Sequence, residues 1–207
     1  LEEIFYLKKK IINQMIYLIY PIVFYFVVFH YEFITSYFSL RYKESAEIFA
    51  VYTCICFVRI NDYQDVLVST GNTKYIFRSN LYYSILNVFL VILLGYFFQG
   101  LGVAIGSLAS VFFLAYKLLS YDSTILSKKI LNFFEVSNIL KMSLCCLIFL
   151  LGIYYILHYL NIANINVIFI SALVYFPLIY FLLYKLNFYN KELVRVIVAK
   201  LPFIKKK

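Results

Sequence analysis

Five polar residues crowd into one short segment of an otherwise apolar stretch: Arg59, Asn61, Asp62, Gln64 and Asp65. If that stretch is a helix that crosses a membrane, Arg59 lies near the bilayer midplane. Asp65 then lies about 9 Å nearer one surface, at 1.5 Å per residue. Each unpaired charge at such depth costs about 2.5–3.5 kcal/mol. The cluster therefore predicts a helix that faces polar neighbours or lines a water-filled cavity.

Two interpretations of Arg59 stay open at this point. Asp62 and Asp65 follow it by three and six residues, so all three side chains can share one helix face and form an internal ion pair. Alternatively, Arg59 contacts an anionic group of a transported substrate, because a guanidinium stays charged and matches phosphate oxygens in a fork. The two carboxylates would then orient Arg59 or bind a coupling cation.

A second polar stripe follows about twenty residues later. Asn80, Ser84 and Asn87 are spaced i, i+4 and i+7, which places them on one face of a helix that is otherwise apolar. Neutral amides and hydroxyls suit the hydroxyl groups of sugars, and they equally suit hydrogen bonds between helices. The spacing alone favours neither.

The elements that must position these residues are six long apolar stretches. Each has about the 20 residues that a helix needs to cross the hydrocarbon core of a bilayer. They are 11–29, 45–69, 76–98, 100–119, 140–159 and 165–186. Since 64% of the chain is hydrophobic, it is too apolar for a soluble domain of 207 residues. We therefore expect an all-α integral membrane protein, a single six-helix bundle.

The basic residues predict the orientation of this bundle. Of the 19 Lys and Arg residues, 16 lie before the first stretch, in or next to alternate gaps between the stretches, or in and next to the tail 187–207; the other three are Arg41, Lys43 and Arg59. Cytoplasmic loops carry the excess of Lys and Arg, so both ends of the chain and its basic tail are expected in the cytoplasm. The formal charge of +9 then points to anionic membrane lipids as partners and not to nucleic acid.

Other patterns predict packing and no cofactor chemistry. Cys54, Cys56, Cys145 and Cys146 all fall within apolar stretches, and their spacing is not that of a metal site. We expect neither a metal nor a cofactor. The small residues Gly102, Gly106 and Ser110 recur every four positions, which predicts close approach of another helix. The segment 120–138 alternates apolar and charged residues and is expected to lie on the cytoplasmic membrane surface.

Parts of the chain resemble a known family. The run RINDYQDVLVSTGNTKY at 59–75 resembles the end of the eighth helix and the following cytoplasmic turn of polysaccharide flippases. The stretches 87–95 and 100–107 resemble the next two helices of these proteins, and 34–50 resembles the external turn before them. The likeness covers about 11–119, and the last two stretches match by hydropathy only.

This resemblance implies a function. The Wzx-type exporters of O-antigen and teichoic acid, in the superfamily of MATE transporters, have two six-helix halves around a central cavity. They move undecaprenyl-pyrophosphate-linked oligosaccharides across the bacterial inner membrane by alternating access, for polysaccharide and lipopolysaccharide biosynthesis. The chain would be the C-terminal half, and the N-terminal half is expected before Leu1. Arg59, Asn80, Ser84 and Asn87 would bind substrate, and Asp62 and Asp65 would orient Arg59 or couple ions.

Three other functions remain as alternatives. A cation-coupled multidrug antiporter of the same superfamily would use Asp62 and Asp65 as ion sites. A membrane-embedded glycan polymerase or acyltransferase is disfavoured, because the sequence has no large external loop and because His30 and His158 both fall at the external ends of stretches. A scaffold without transport activity rarely needs charge at the bilayer midplane. We therefore expect a transporter and not an enzyme.

Overall fold

A computed structural model describes residues 2–59, 63–160 and 164–186. These residues form helices and turns, with no β-strand among them. The seven α-helices are α1 (Glu2–Val28), α2 (His30–Phe38), α3 (Ser45–Arg59), α4 (Asp65–Ser69), α5 (Thr73–Ile125), α6 (Val136–Tyr159) and α7 (Asn164–Lys185). Among the described residues, α1, α5, α6 and α7 are long and apolar enough to cross a membrane. The described part of the chain thus contains only helices and turns, and its long apolar helices are compatible with a multi-pass membrane protein.

Helix α1 forms the centre of the larger hydrophobic core, against α6 and α7. Its side chains Ile12 and Ile16 are buried one turn apart, and Tyr25 is stacked on Tyr175 of α7. Pro21 interrupts the hydrogen-bond ladder of α1 because it has no N–H group. At this position the Tyr175 hydroxyl donates to the Pro21 carbonyl over 3.2 Å. The aromatic contacts therefore fasten α7 to α1 around the proline.

Helix α5 is a hairpin of two arms, 73–98 and 100–125. Gln99 between them has φ 51° and ψ −135°, so the helix is broken there and the chain reverses. The arms then touch through glycine: a Cβ atom on Gly102 would meet the carbonyl of Leu94, and one on Gly106 would lie 3.0 Å from the backbone of Leu90. The predicted close packing at these glycines is confirmed, and the partner is the preceding arm.

The stretch 45–69 is not one uninterrupted helix. Helix α3 ends at Arg59, Tyr63 lies in a bend, and α4 starts only at Asp65. A turn after α4 leads into α5, where the amide of Asn72 donates to the Leu67 carbonyl over 2.8 Å and Gly71 has φ 75°. This is the Schellman arrangement, in which a left-handed residue ends a helix. Arg59, the last residue of α3, and Asp65, the first residue of α4, therefore flank this interruption.

The connection between α5 and α6 packs into the bundle. Phe133, in the 3-10 turn Ile130–Phe133, is fully buried and meets the ring of Phe5 edge-on at 5.1 Å. Asn13 of α1 donates to the Phe133 carbonyl over 3.1 Å and accepts from the amide of Glu135 over 2.8 Å. Part of the segment 120–138, which was expected on the membrane surface, therefore belongs to the core. The side chain of Phe133 is buried there, and Asn13 of α1 forms hydrogen bonds with two of its backbone groups.

Candidate functional site

The Arg59 guanidinium lies at the end of α3 and is exposed. Its Nη2 donates a hydrogen bond to the hydroxyl of Tyr83, in the first arm of α5, over 3.1 Å. Among the described residues no carboxylate pairs with Arg59. A phenol orients a guanidinium without neutralising it, so the described residues leave the positive charge of Arg59 uncompensated.

A cavity of about 300 Å³ opens beside this guanidinium. Its polar wall is formed by the end of α3, the segment before α4 and the first arm of α5; it consists of Arg59, Tyr63, Gln64, Asn80 and Tyr83. Its apolar wall comes from α3 and the second arm of α5; it consists of Val58, Val111, Leu114, Ala115 and Leu118. One wall therefore offers hydrogen bonds and a charge, while the other offers only apolar surface.

The apolar wall belongs to the second hydrophobic core. Val58, Leu67, Val111 and Leu118 are buried together there, so α3, α4 and the second arm of α5 hold one another in place. The stacking of Tyr75 on Tyr121, with ring centroids 3.9 Å apart, fastens the two arms of α5 near the same end. The residues of the polar wall thus belong to helices that pack against one another, and this packing fixes the position of Arg59 relative to Asn80.

Of the predicted stripe on α5, only Asn80 lines the cavity. Its Nδ2 donates to the Ile76 carbonyl over 3.0 Å. Ser84 is exposed, and its hydroxyl donates to the Asn80 carbonyl within the same helix. Asn87 is half-buried, and its Oδ1 atom has no hydrogen-bond partner among the described residues. The structure therefore brings Arg59 and Asn80 together and leaves Ser84 and Asn87 farther along the arm.

The two predicted carboxylates are placed differently. Asp62 lies outside the described residues. Asp65 is exposed at the first turn of α4, and it lies within electrostatic range of Asp122 in α5. Since α3 ends at Arg59, Asp65 and Arg59 belong to different helices and do not share one helical face. Across the described ranges, no group of three or more His, Cys, Asp or Glu side chains is arranged to hold a metal ion.

A buried ion pair joins α1 to α5, and the sequence reasoning did not find it. Lys8 Nζ lies 2.5 Å from Asp122 Oδ2, and the two side chains are 5% and 0% exposed. A signal existed: Ala115, Leu118 and Asp122 continue one buried stripe of α5, so a carboxylate stands at a core position. A core carboxylate needs a partner, and Lys8 occupies the matching core position of α1, one turn before Ile12.

A second polar contact joins α1 to the start of α6. The Tyr17 hydroxyl donates to Glu135 Oε2 over 2.7 Å, and Asn138 donates to the same oxygen over 3.0 Å. The hydrogen bond from Tyr17, helped by that from Asn138 and by the charge of Lys9, holds the pKa of Glu135 below its ordinary value. Glu135 therefore stays ionised, as suits a residue at the N-terminus of α6.

Comparison with protein-family models, with curated proteins and with solved structures finds no match to this chain.

Proposed function

We propose that the chain transports a lipid-linked oligosaccharide with a phosphate-bearing head group across a bacterial inner membrane by alternating access. In this proposal no bond is made or broken, and the protein is not an enzyme. The cargo class follows from the charge at the cavity. It also follows from the resemblance of 59–75 to the flippases of undecaprenyl-pyrophosphate-linked glycans.

The single observation that carries the proposal is the open guanidinium of Arg59. A cation in an apolar chain is costly unless an anion compensates it, and the orienting partner on the described residues is the neutral Tyr83 hydroxyl. A phosphate or pyrophosphate supplies that anion, and guanidinium binds its oxygens with two parallel hydrogen bonds. The volume of about 300 Å³ is at the lower end of ligand pockets, which suits a head group better than a whole glycan.

The neutral polar wall is assigned to the sugars. Asn80 and Gln64 line the cavity beside Arg59 and present amide groups, which donate to and accept from sugar hydroxyls. Ser84 and Asn87 continue the polar stripe along the first arm of α5, where we place the more distant sugar units. Asp65, with Asp62, is assigned to binding a coupling cation.

In the membrane we propose six crossings. The two arms of the α5 hairpin supply two of them, α1, α6 and α7 supply three, and α3 with the following segment supplies the sixth. The basic residues put both ends of the chain on the cytoplasmic side. A second six-helix bundle, the N-terminal half in the related transporters, would close the cavity, while the lipid tail of the cargo stays in the bilayer.

Replacement of Arg59 tests this function. A hydrogen bond to a charged group contributes about 1.5–3 kcal/mol, so Arg59→Ala should reduce glycan export roughly 10- to 100-fold. Arg59→Lys should retain part of the activity, because the charge remains and the fork is lost. Arg41→Ala is the matched control, since Arg41 is also exposed but lies in the turn after α2.

Export is measured as surface glycan at equal amounts of protein in the membrane. Full export by Arg59→Ala would contradict the proposed role of Arg59. Loss of drug efflux in a strain lacking the protein, with glycan export intact, would instead favour the multidrug antiporter.

A further inference from the structure

A buried carboxylate lies at the end of the bundle opposite Lys8. Glu32 of α2 is 2% exposed, and its Oε2 atom has no hydrogen-bond partner within residues 2–59, 63–160 and 164–186. An ionised carboxylate that is buried without full compensation costs several kcal/mol. Such a group is expected either to take up a proton or to face a cation.

The candidate cation is His158 of α6. Its Nε2 atom lies 4.0 Å from Glu32 Oε1, and its side chain is 51% exposed. The imidazole is stacked on the ring of Tyr154, with centroids 4.4 Å apart, which holds it near Glu32. Histidine is the side chain that ordinarily gains or loses a proton between pH 5 and 8. His158 is therefore in contact with both the solvent and the buried carboxylate.

The other titratable and charged groups around Glu32 do not compensate its charge. Tyr25 of α1 and Tyr154 are within electrostatic range of Glu32, but phenols are uncharged near neutral pH. Arg41, in the turn after α2, and Glu47, in the first turn of α3, are exposed. In the described part of α7 the charged residue is Lys185, at the far end of that helix. His158 is thus the described group that can compensate Glu32.

One turn beyond Glu32 lies a second unpartnered oxygen. The Oγ atom of Ser36 is buried and has no hydrogen-bond partner among the described residues. Residues four apart lie on the same face of a helix. A protonated Glu32 carboxyl is a hydrogen-bond donor, and the Ser36 hydroxyl is an acceptor for it. Ser36, on the same face of α2, is therefore a candidate hydrogen-bond acceptor for a protonated Glu32.

We propose that Glu32 and His158 form a proton-binding site in which the two side chains share one proton. This proton resides either on the imidazole, which gives an ion pair, or on the carboxyl, which gives two neutral groups. Transfer between these forms breaks the Nε2–H bond of the imidazolium and makes an O–H bond on Glu32. The half-exposed imidazole rotates to cover the remaining distance, and it exchanges protons with the solvent.

Infrared spectroscopy of the carboxyl C=O stretch tests the site in the full-length chain. His158→Gln removes the cation that lies 4.0 Å from Glu32, so the buried carboxylate should take up a proton from the solvent instead. We expect a protonated-carboxyl band at pH 7.5 in His158→Gln that is absent from the double variant His158→Gln/Glu32→Gln. His30→Gln is the matched control, because His30 lies at the same end and bonds to the Val27 carbonyl.

Absence of that band in His158→Gln would overturn the proposal, as would its persistence in the double variant. If Glu32→Gln prevents folding, Glu32→Met replaces it, since methionine leaves no buried polar atom. The inference does not depend on the cargo proposed above, and the spectroscopic result is independent of transport.

Discussion

Two cations in this apolar chain have opposite environments. Lys8 is buried and paired with the carboxylate of Asp122, between α1 and the second arm of α5. Arg59 is exposed beside a cavity and bonds to the neutral hydroxyl of Tyr83. In the buried pair the two opposite charges compensate each other, and side chains that are 5% and 0% exposed are not accessible to a ligand. The partner of Arg59 among the described residues is neutral, and we propose that its charge serves to bind a ligand.

The comparison separates stability from function. Removal of one partner from a buried pair leaves an uncompensated charge, which destabilises the fold. Removal of an exposed side chain that lines a cavity changes the fold little and changes binding much. The largest effects on unfolding are therefore expected at Lys8, and the smallest at Arg59.

Lys8→Met should give the largest loss of stability, about 3–5 kcal/mol, because Asp122 is left buried without its cation. Thermal unfolding in detergent measures this loss. The double variant Lys8→Met/Asp122→Leu should recover most of it, since both charges are then replaced by apolar groups of similar size. A loss below about 1 kcal/mol in Lys8→Met would mean that the pair does not hold α1 to α5.

Gly102→Ala should have the second largest effect. It should lower the free energy of unfolding by about 1–3 kcal/mol or more, because overpacking forces the two arms of α5 apart. The added Cβ atom would meet the carbonyl of Leu94, which is backbone and cannot rotate away. Gly152→Ala in α6 is the control. A Cβ atom there meets nothing within 4 Å, so that variant should be neutral or slightly stabilised. Equal melting temperatures for the two variants would contradict the hairpin.

The pH dependence of stability should come partly from Glu135. Its pKa is lower in the folded protein than in the unfolded chain, so the unfolded state binds the proton more tightly. The stabilisation is therefore present above the unfolded pKa and is lost as the pH falls through the folded one. Tyr17→Phe removes the main cause, so its melting temperature should fall less between neutral and acid pH. If the melting temperatures of Tyr17→Phe and of the unchanged protein fell equally with pH, Glu135 would not contribute to the pH dependence in this way.

Arg59→Ala should change the free energy of unfolding least, by about 0.5 kcal/mol or less, because the side chain is exposed. The same thermal unfolding assay measures it beside Lys8→Met. A loss comparable with that of Lys8→Met would show that Arg59 is a structural residue, and it would remove the contrast between the two cations.

The sequence predicted features that depend on local spacing. The small residues Gly102, Gly106 and Ser110 predicted a close helix contact, and the α5 hairpin has one because its arms are adjacent in the chain. Arg59 and Asn80 were both proposed as site residues, and the structure places both in the wall of one cavity. Helical periodicity selected Asn80, but it also selected Ser84 and Asn87, which do not line the cavity; Arg59 was selected because a charge in an apolar stretch is costly.

Features that depend on distant parts of the chain were missed. Lys8 and Asp122 are 114 residues apart, and their pairing requires the register of α1 against α5. Phe133 was assigned to a surface segment, because an alternation of apolar and charged residues does not show that Asn13 will bind its carbonyl. The bend at Tyr63 was also missed, since apolar residues resume directly after the polar cluster and the length of the stretch suggested one helix.

Thiol labelling of Asn80→Cys, in a background without the four native cysteines, tests the central claim most directly. We expect the new thiol to react with a membrane-impermeant reagent, and undecaprenyl-pyrophosphate-linked oligosaccharide to slow that reaction. The slowing should disappear when Arg59→Ala is added, while Leu150→Cys, at a fully buried position, should stay unreactive. Equal protection with and without the Arg59 guanidinium, or no reaction at Asn80→Cys in any condition, would contradict an open anion-binding cavity.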